Sequence, residues 1–163
     1  MRRALIALAI LAGAAPAMGA DGGARIIGEA QAIDGDTLDL GAVRVRLFGI
    51  DAPEGGQSCR RADGAEWDCA AAASDRLAEL IEGREVECSV VDRDRYRRVV
   101  ATCLVGGLDL GEALVRDGYA WAYRRYSGRY VGAEAAARAA RRGIWQGPAI
   151  PPWRWRALRR DRS

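Results

Sequence analysis

The sequence predicts an α+β domain built on a small, strongly curved sheet. Five short runs show the residue alternation of strands, and three stretches have a helical composition, one after the third strand and two after the fifth. The 163 residues contain no internal repeat and no linker, so a single domain is expected.

The N-terminal segment is expected to be a secretory signal peptide. Met1 and two arginines precede an apolar run from Ala4 to Ala15, with small residues near Gly19. The run is too short to span a bilayer, and no later segment is apolar for long enough, so we expect no membrane span in the mature protein. The signal peptide predicts an exported protein, periplasmic or extracellular. The predicted divisions are a signal peptide at 1–20, a domain at 21–147 and a Pro/Trp/Arg-rich tail at 148–163.

The five predicted strands lie at residues 25–33, 37–40, 43–48, 85–91 and 98–105. Gly41 and Ala42 suit a two-residue hairpin turn with glycine first, which joins the second strand to the third. The charged segment 92–97 suits a turn between the fourth strand and the fifth, which predicts a second hairpin.

The three predicted helices lie at residues 66–81, 110–117 and 129–142. The first is rich in alanine and is expected to stop at Gly83. Asp109 is a suitable N-cap for the second helix and Gly118 a suitable terminator, and Gly143 is expected to end the third.

The absence of histidine, lysine and asparagine limits the chemistry available to the chain, because all 25 basic residues are arginine. Ser-His-Asp and Cys-His catalysis, histidine-containing zinc sites, Ser-Lys pairs and lysine-containing phosphate loops are excluded. The net charge of +3 falls to +1 without Arg2 and Arg3, which is too small to indicate a partner. The side chains that remain available for chemistry are carboxylates, arginines and thiols.

Four cysteines lie in the part of the chain that is expected to be exported, where an even number predicts disulfides. Cys88 and Cys103 lie on either side of the predicted second hairpin turn, and Cys59 and Cys69 flank the loop before the first helix. We expect these two pairs to be bridged. A zinc site is the alternative, but no C-x-x-C spacing favours it.

Acidic residues gather where two predicted strands meet turns. Asp34 and Asp36 flank a glycine in a D-G-D-T segment, and Asp51 and Glu54 follow a later strand. Any one of these acids is more simply explained as a turn former. Together, Asp36 and Asp51 could supply hard oxygen ligands to Ca²⁺, with backbone carbonyls and water completing the shell.

Two arginines lie within or beside apolar strands, where a guanidinium costs desolvation energy unless it has a partner. These are Arg46 and Arg98, and a structural ion pair is the simplest explanation of each. A guanidinium fork also matches two oxygens of a phosphate. Two arginines and a cation would therefore neutralise a phosphodiester while a carboxylate positions water.

These residues resemble those of the staphylococcal-nuclease-like, or thermonuclease, family. The matching motifs are D-G-D-T from Asp34, V-R-L-x-G-I-D-A-P-E from Val45, D-R-Y-x-R from Asp94, A-L-V-R-x-G-x-A from Ala113 and G-I-W from Gly143. They cover residues 26–145 in order. The resemblance implies a five-stranded OB-type β-barrel with three helices and Ca²⁺-dependent hydrolysis of DNA and RNA that leaves 3′-phosphate ends.

The resemblance also implies residue roles. Asp36, Asp51 and the carbonyl of Ala52 would bind calcium, as metal ligands. Arg46 and Arg98 would contact the phosphate, and Glu54 would act as general base or orient water. The chain departs from the family at Arg97, which replaces the usual glycine of the D-R-Y-G-R turn, and at Ala52, where some members have threonine.

Two other functional classes fit parts of the sequence. A non-catalytic OB module that binds single-stranded nucleic acid would use aromatic residues to stack bases, and the candidates are Tyr96, Tyr119, Trp121, Tyr123 and Tyr126. A disulfide-stabilised exported protein with a structural role is the third class. Neither class needs the acids, so we favour the enzyme, and we expect it to be a monomer.

Overall fold

The computed structural model describes residues 23–161, and the predicted signal peptide lies outside this part of the chain. The strands are β1 (Arg25–Glu29), β2 (Gln31–Ala32), β3 (Thr37–Asp39), β4 (Arg44–Leu47), β5 (Ile50–Asp51), β6 (Ser58–Arg60), β7 (Glu66–Asp68), β8 (Glu85–Arg93), β9 (Val99–Val105), β10 (Leu108–Asp109) and β11 (Trp121–Ala122). The helices are α1 (Cys69–Ile81), α2 (Leu110–Asp117), α3 (Val131–Ala139) and α4 (Pro152–Arg160).

The main sheet curls on itself. Its strand order is β1-β8-β9-β4-β3-β2, with β10 on β9. The two ends of this path, β1 and β2, are consecutive in the chain and are separated only by Ala30. One bent segment therefore pairs with β8 on one side and β3 on the other, which confirms the predicted α+β class with an OB-type sheet.

Within residues 23–161 the main sheet has seven strands where five were predicted, and β5–β11 and β6–β7 form two further two-stranded sheets. The segment expected as one strand over residues 25–33 bends at Ala30 and is divided in two, and Leu108–Asp109 adds a short strand beside β9. The hairpin between β3 and β4 forms as predicted, with Gly41 in the left-handed region at φ 75° and a hydrogen bond from Leu40 N to Val43 O.

Both predicted disulfides are present. Cys88 and Cys103 are directly opposite each other in the β8–β9 register and are bridged across the hairpin. Cys59 on β6 is bridged to Cys69 at the start of α1. Each bridge closes a short loop of the chain and is expected to stabilise the fold chiefly by restricting the unfolded state.

The first helix begins later than predicted. Residues 66–68 were expected to be helical, but they form β7, which pairs with β6 through Cys59 and Trp67. The helix then starts at the disulfide-bonded Cys69, where the side chain of Asp68 accepts a hydrogen bond from Ala71 N at 2.9 Å.

The second helix matches its prediction at both ends, whereas the third is shorter. The side chain of Asp109 caps α2 by accepting from Glu112 N, and Gly118 ends the helix in the left-handed conformation. The helix expected over residues 129–142 extends only over Val131–Ala139, and the predicted terminator Gly143 instead begins a 3₁₀ helix, Gly143–Gln146.

The tail forms α4, a fourth helix where three were predicted. Its first turn starts with proline, which is compatible with the N-terminal position of a helix because the missing N–H has no partner there.

The main hydrophobic core lies between the sheet and the helices α1 and α2. Its buried side chains include Leu38, Leu47, Leu77, Leu114 and Tyr130. No helix within residues 23–161 is long and apolar enough to cross a bilayer.

Candidate active site

The Asp34-Gly35-Asp36 turn directs one acid into the protein. Asp34 Oδ1 accepts a hydrogen bond from Asp36 N at 3.0 Å, which fixes the turn. Gly35 packs so closely that an added Cβ would lie 2.7 Å from the Cβ atoms of both Ala52 and Ala73. Asp36 is consequently held at the start of β3 with its side chain buried.

A second acid reaches the same place from β5. Asp51 is paired with Trp121 of β11 in a two-stranded sheet and is fully buried. The next residue, Ala52, donates its backbone N–H to Asp36 Oδ2 at 3.0 Å. The two acids predicted as metal ligands are thus joined through the backbone that follows Asp51.

Arg46 of β4 lies between these two acids. Its Nη1 is 2.7 Å from Asp36 Oδ1 and its Nη2 is 2.6 Å from Asp51 Oδ1. Burial raises the pKa of Asp36 to about 7, with Arg46 acting in the opposite direction. Desolvation likewise works against the charge of Arg46, but Asp36 and Asp51 raise its pKa above the usual value.

Glu54 follows in the loop after β5 and is oriented by a residue that the sequence analysis did not single out. The side-chain oxygen of Gln57 accepts from Glu54 N at 3.1 Å, and the amide nitrogen of Gln57 donates to Ile150 O at 2.6 Å. Gln57 is buried although it is polar. It therefore connects the Glu54 loop to the start of the tail.

Arg156 of α4 is a further site residue that the sequence analysis missed. Its Nη2 donates to Asp51 Oδ2 at 2.8 Å and its Nη1 to Asp51 Oδ1 at 3.2 Å. Nη1 also donates to Glu54 Oε1. Desolvation opposes the charge, but the hydrogen bonds to Asp51 and Glu54 raise the pKa of Arg156. The W-R-W-R spacing in the tail contained no signal for this contact, because the partners are about a hundred residues earlier.

Arg98 directly precedes β9, the strand that pairs with β4 of Arg46, but its ion-pair partner is different. In the parallel β4–β9 register Arg46 is opposite Val100, and Arg98 precedes Val100 by two residues. The guanidinium of Arg98 binds Asp94, with Nε 2.7 Å from Asp94 Oδ2. Among residues 23–161, no ion pair joins Arg98 to Asp36, Asp51 or Glu54.

The turn before Arg98 has a left-handed backbone conformation at Arg97, the position where the family usually has glycine. Arg97 is in the left-handed region with φ 66°, which glycine adopts without cost and an arginine does not. Asp94 stabilises the turn by accepting from Tyr96 N and Arg98 N. Partial burial opposes ionisation, but the hydrogen bonds from Arg98 hold the pKa of Asp94 below its usual value.

The aromatic residues proposed for base stacking are in unlike environments. Trp121 is buried and packs edge-on against Trp145, and Tyr119 packs against the core. Tyr123 stacks on Trp153 of α4 with ring centroids 5.4 Å apart. Tyr96 and Tyr126 are exposed.

The donor atoms around Asp36 and Asp51 suit a hard cation. Two buried carboxylates and neighbouring backbone carbonyls are the oxygen ligands that Ca²⁺ prefers. No group of three or more Asp, Glu, His or Cys side chains within residues 23–161 is arranged to hold a metal. A calcium ion here would therefore depend on these two acids, with the Ala52 carbonyl and water completing its shell.

Sequence comparison finds a matching family model and several similar proteins. The family model described as staphylococcal nuclease homologue matches residues 44–147. A protein named "uncharacterized endonuclease" from Escherichia coli is 32% identical over 149 residues, covering 86% of this chain and 89% of its own.

Two further proteins are similar to this chain over most of its length. Protein ParB of Escherichia coli is 38% identical over 176 residues, covering 96% of this chain and 90% of its own. Micrococcal nuclease of Shigella flexneri is 36% identical over 143 residues, covering 76% of each chain. The motifs, the curled sheet and these matches together show that the chain belongs to the staphylococcal nuclease family.

Proposed function

We propose that the protein is a Ca²⁺-dependent endonuclease that hydrolyses phosphodiester bonds of DNA and RNA and leaves 3′-phosphate ends. The observation that carries the proposal is the meeting of Asp36 and Asp51, from two separate turns, on the guanidinium of Arg46. A binding module would gain little from two buried acids, which cost desolvation energy. Membership of the nuclease family supports the reaction class.

Asp36 and Asp51, with the carbonyl of Ala52, are proposed to hold the calcium ion. A bound ion would supply positive charge next to the scissile phosphate. Arg46 would add its own charge at the phosphate oxygens that become more negative in the transition state. Its two contacts with buried acids keep the guanidinium in one orientation before substrate arrives.

Glu54 is proposed to take a proton from the attacking water or to orient it. The water oxygen would form a bond to phosphorus while the bond from phosphorus to the 5′ oxygen breaks. The leaving 5′ oxygen would take a proton from solvent, which gives a 3′-phosphate and a 5′-hydroxyl. The link from Glu54 N to Gln57 supports this role, because it restricts the backbone that carries the carboxylate.

Arg98 is proposed as the second phosphate contact. Its position directly before β9, the strand that pairs with β4 of Arg46, supports this role. Asp94 would act as a positioning residue, since it holds the Nε edge of the guanidinium at 2.7 Å. Charge-assisted contacts of this kind favour bidentate recognition of phosphate.

We also propose that the protein is exported and acts as a monomer, with residues 1–20 as signal peptide, 21–147 as the nuclease domain and 148–163 as an appended tail. The two disulfides support export, because such bonds persist in oxidising compartments.

Digestion of supercoiled plasmid and of single-stranded RNA, with CaCl₂ or with EGTA, tests this function. We expect cleavage of both substrates in calcium and none in chelator. The DNA products should accept phosphate from polynucleotide kinase without prior phosphatase treatment, because their 5′ ends carry hydroxyl groups. Cleavage that persists in EGTA, or binding of substrate without cleavage, would contradict the proposal.

A further inference from the structure

The tail of the protein places a cationic helix on the proposed catalytic acids. α4 carries four arginines and no acidic residue between Pro152 and Arg160. The guanidinium of Arg156 contacts both carboxylate oxygens of Asp51 and also Glu54 Oε1. A helix that follows the family-matched segment 44–147 therefore contributes directly to this site.

These contacts occupy lone pairs of the two carboxylates that are proposed to bind metal and to activate water. Asp51 Oδ1 accepts hydrogen bonds from Arg46 and from Arg156, and Oδ2 accepts from Arg156. A carboxylate oxygen has about two lone pairs, so Oδ1 has none left for a cation. A guanidinium and a metal ion sharing the same carboxylate would also repel each other.

Arg156 has room to leave while the rest of the tail stays in place. Its side chain is 33% exposed, whereas that of Asp51 is fully buried. The start of the tail is fixed independently, because Gln57 donates to Ile150 O at 2.6 Å and Trp153 stacks on Tyr123. Rotation of one long side chain would uncover the acids without detaching the helix.

We propose that Arg156 is an internal competitor of the active-site metal, which neutralises Asp51 and Glu54 and must be displaced before calcium binds. The inference rests on the proposed function, since it assumes that these acids bind calcium and activate water. With Arg156 in place, Asp51 has a counter-charge and Glu54 is engaged. The tail thereby sets the calcium concentration at which the enzyme becomes active.

Calcium titration by isothermal calorimetry tests the proposal on the chain without its signal peptide. Arg156→Gln removes the competing charge, and Arg154→Gln removes an equal charge from an exposed position on the same helix. We expect Arg156→Gln to bind calcium about tenfold more tightly or better, the size expected for loss of a charged hydrogen bond, and Arg154→Gln to match the unmodified protein.

Thermal unfolding gives a second reading. Without calcium, Arg156→Gln should melt below Arg154→Gln, because Asp51 has lost a counter-charge, and calcium should raise its melting temperature by a larger amount. Arg156→Lys retains the charge without the fork and should lie between the two in affinity. If Arg156→Gln does not fold, the calcium affinity of Arg156→Lys provides the test instead.

Two results are decisive. Equal calcium affinity in the unmodified protein, Arg156→Gln and Arg154→Gln would overturn the competition while leaving the proposed nuclease intact. Failure of every folded variant to bind calcium would instead overturn the calcium-dependent function, and the competition with it.

Discussion

Arg46 and Asp51 are five residues apart in the chain but meet from different strands, with Arg46 Nη2 2.6 Å from Asp51 Oδ1. The other terminal nitrogen of the same guanidinium is 2.7 Å from Asp36 Oδ1. The two buried acids therefore share one guanidinium. Its removal would leave both with less counter-charge in a region of low dielectric.

We expect Arg46→Ala to lower the free energy of unfolding by about 3 kcal/mol, the lower end of the cost of breaking a buried ion pair. Arg46→Lys should retain more stability but still reduce kcat by about 10²-fold, because lysine cannot form the fork. Urea denaturation and plasmid-cleavage kinetics measure the two effects. Arg44→Ala, at an exposed position of the same strand, is the control. A fully active Arg46→Lys enzyme would argue against bidentate positioning.

Glu54→Gln tests the proposed base. The substitution preserves the size of the side chain but removes the proton acceptor, so kcat should fall by about 10²–10⁴-fold. The melting temperature in calcium should change little, because Glu54 is only half-buried. Glu82→Gln, on the protein surface, removes the same charge as a control. Turnover near that of the unmodified protein would exclude Glu54 as the base.

The adjacent residues Arg97 and Arg98 are expected to respond in opposite ways. Arg97→Gly should stabilise the protein by about 1 kcal/mol, because glycine adopts φ 66° without the cost that arginine incurs, and it should leave activity unchanged or higher.

Arg98→Ala should reduce kcat by about 10²-fold or more, since each 1.36 kcal/mol of lost transition-state stabilisation is tenfold in rate. Kinetics and denaturation of both variants provide the comparison. Loss of activity in Arg97→Gly together with a mild effect of Arg98→Ala would show that the assignment is wrong by one residue.

The raised pKa of Asp36 predicts a pH dependence of stability. The pKa of Asp36 is about 7 in the folded protein, whereas the ordinary value for an aspartate side chain is 3.8. The stability contributed by the neutral carboxyl is therefore fully present below pH 3.8 and is lost as the pH rises through about 7.

In EGTA, the unmodified protein should lose stability relative to Asp36→Asn between pH 5.5 and 8.5, two conditions about 1.5 pH units on either side of the folded pKa. Urea denaturation at both values measures the difference. Parallel pH dependence in the two proteins would contradict the shift. Added calcium should oppose the loss at the higher pH, because the ionised carboxylate is the form that binds a cation.

Local signals in the sequence predicted many of the elements correctly. Asp109 and Gly118 defined α2, because an N-cap side chain and a left-handed terminator depend on neighbouring backbone atoms alone. Gly41 likewise predicted the hairpin, and the positions of Cys88 and Cys103 about the second turn predicted their disulfide. In each case the partners are joined by a short, regular piece of chain.

Predictions failed where contacts with other segments outweighed the local preference of the residues. Residues 66–68 were expected to be helical, but pairing with β6 and the Cys59–Cys69 bridge make them a strand. The tail was predicted only as a Pro/Trp/Arg-rich segment, but part of it forms the helix α4. Contacts of Ile150 with Gln57 and of Trp153 with Tyr123 accompany α4 in the folded protein.

Family motifs in the sequence were enough to predict five candidate site residues, which are Asp36, Arg46, Asp51, Glu54 and Arg98. Their ion-pair partners become clear only in the folded protein. Arg46 lies between the two acids Asp36 and Asp51, and Arg98 forms an ion pair with Asp94. Arg156 donates a hydrogen bond to Asp51, which is 105 residues earlier in the chain. The physical reason is that caps, turns and alternation act over a few residues, whereas the pairing of a charge in a low-dielectric site depends on which distant side chains the fold brings within hydrogen-bond distance.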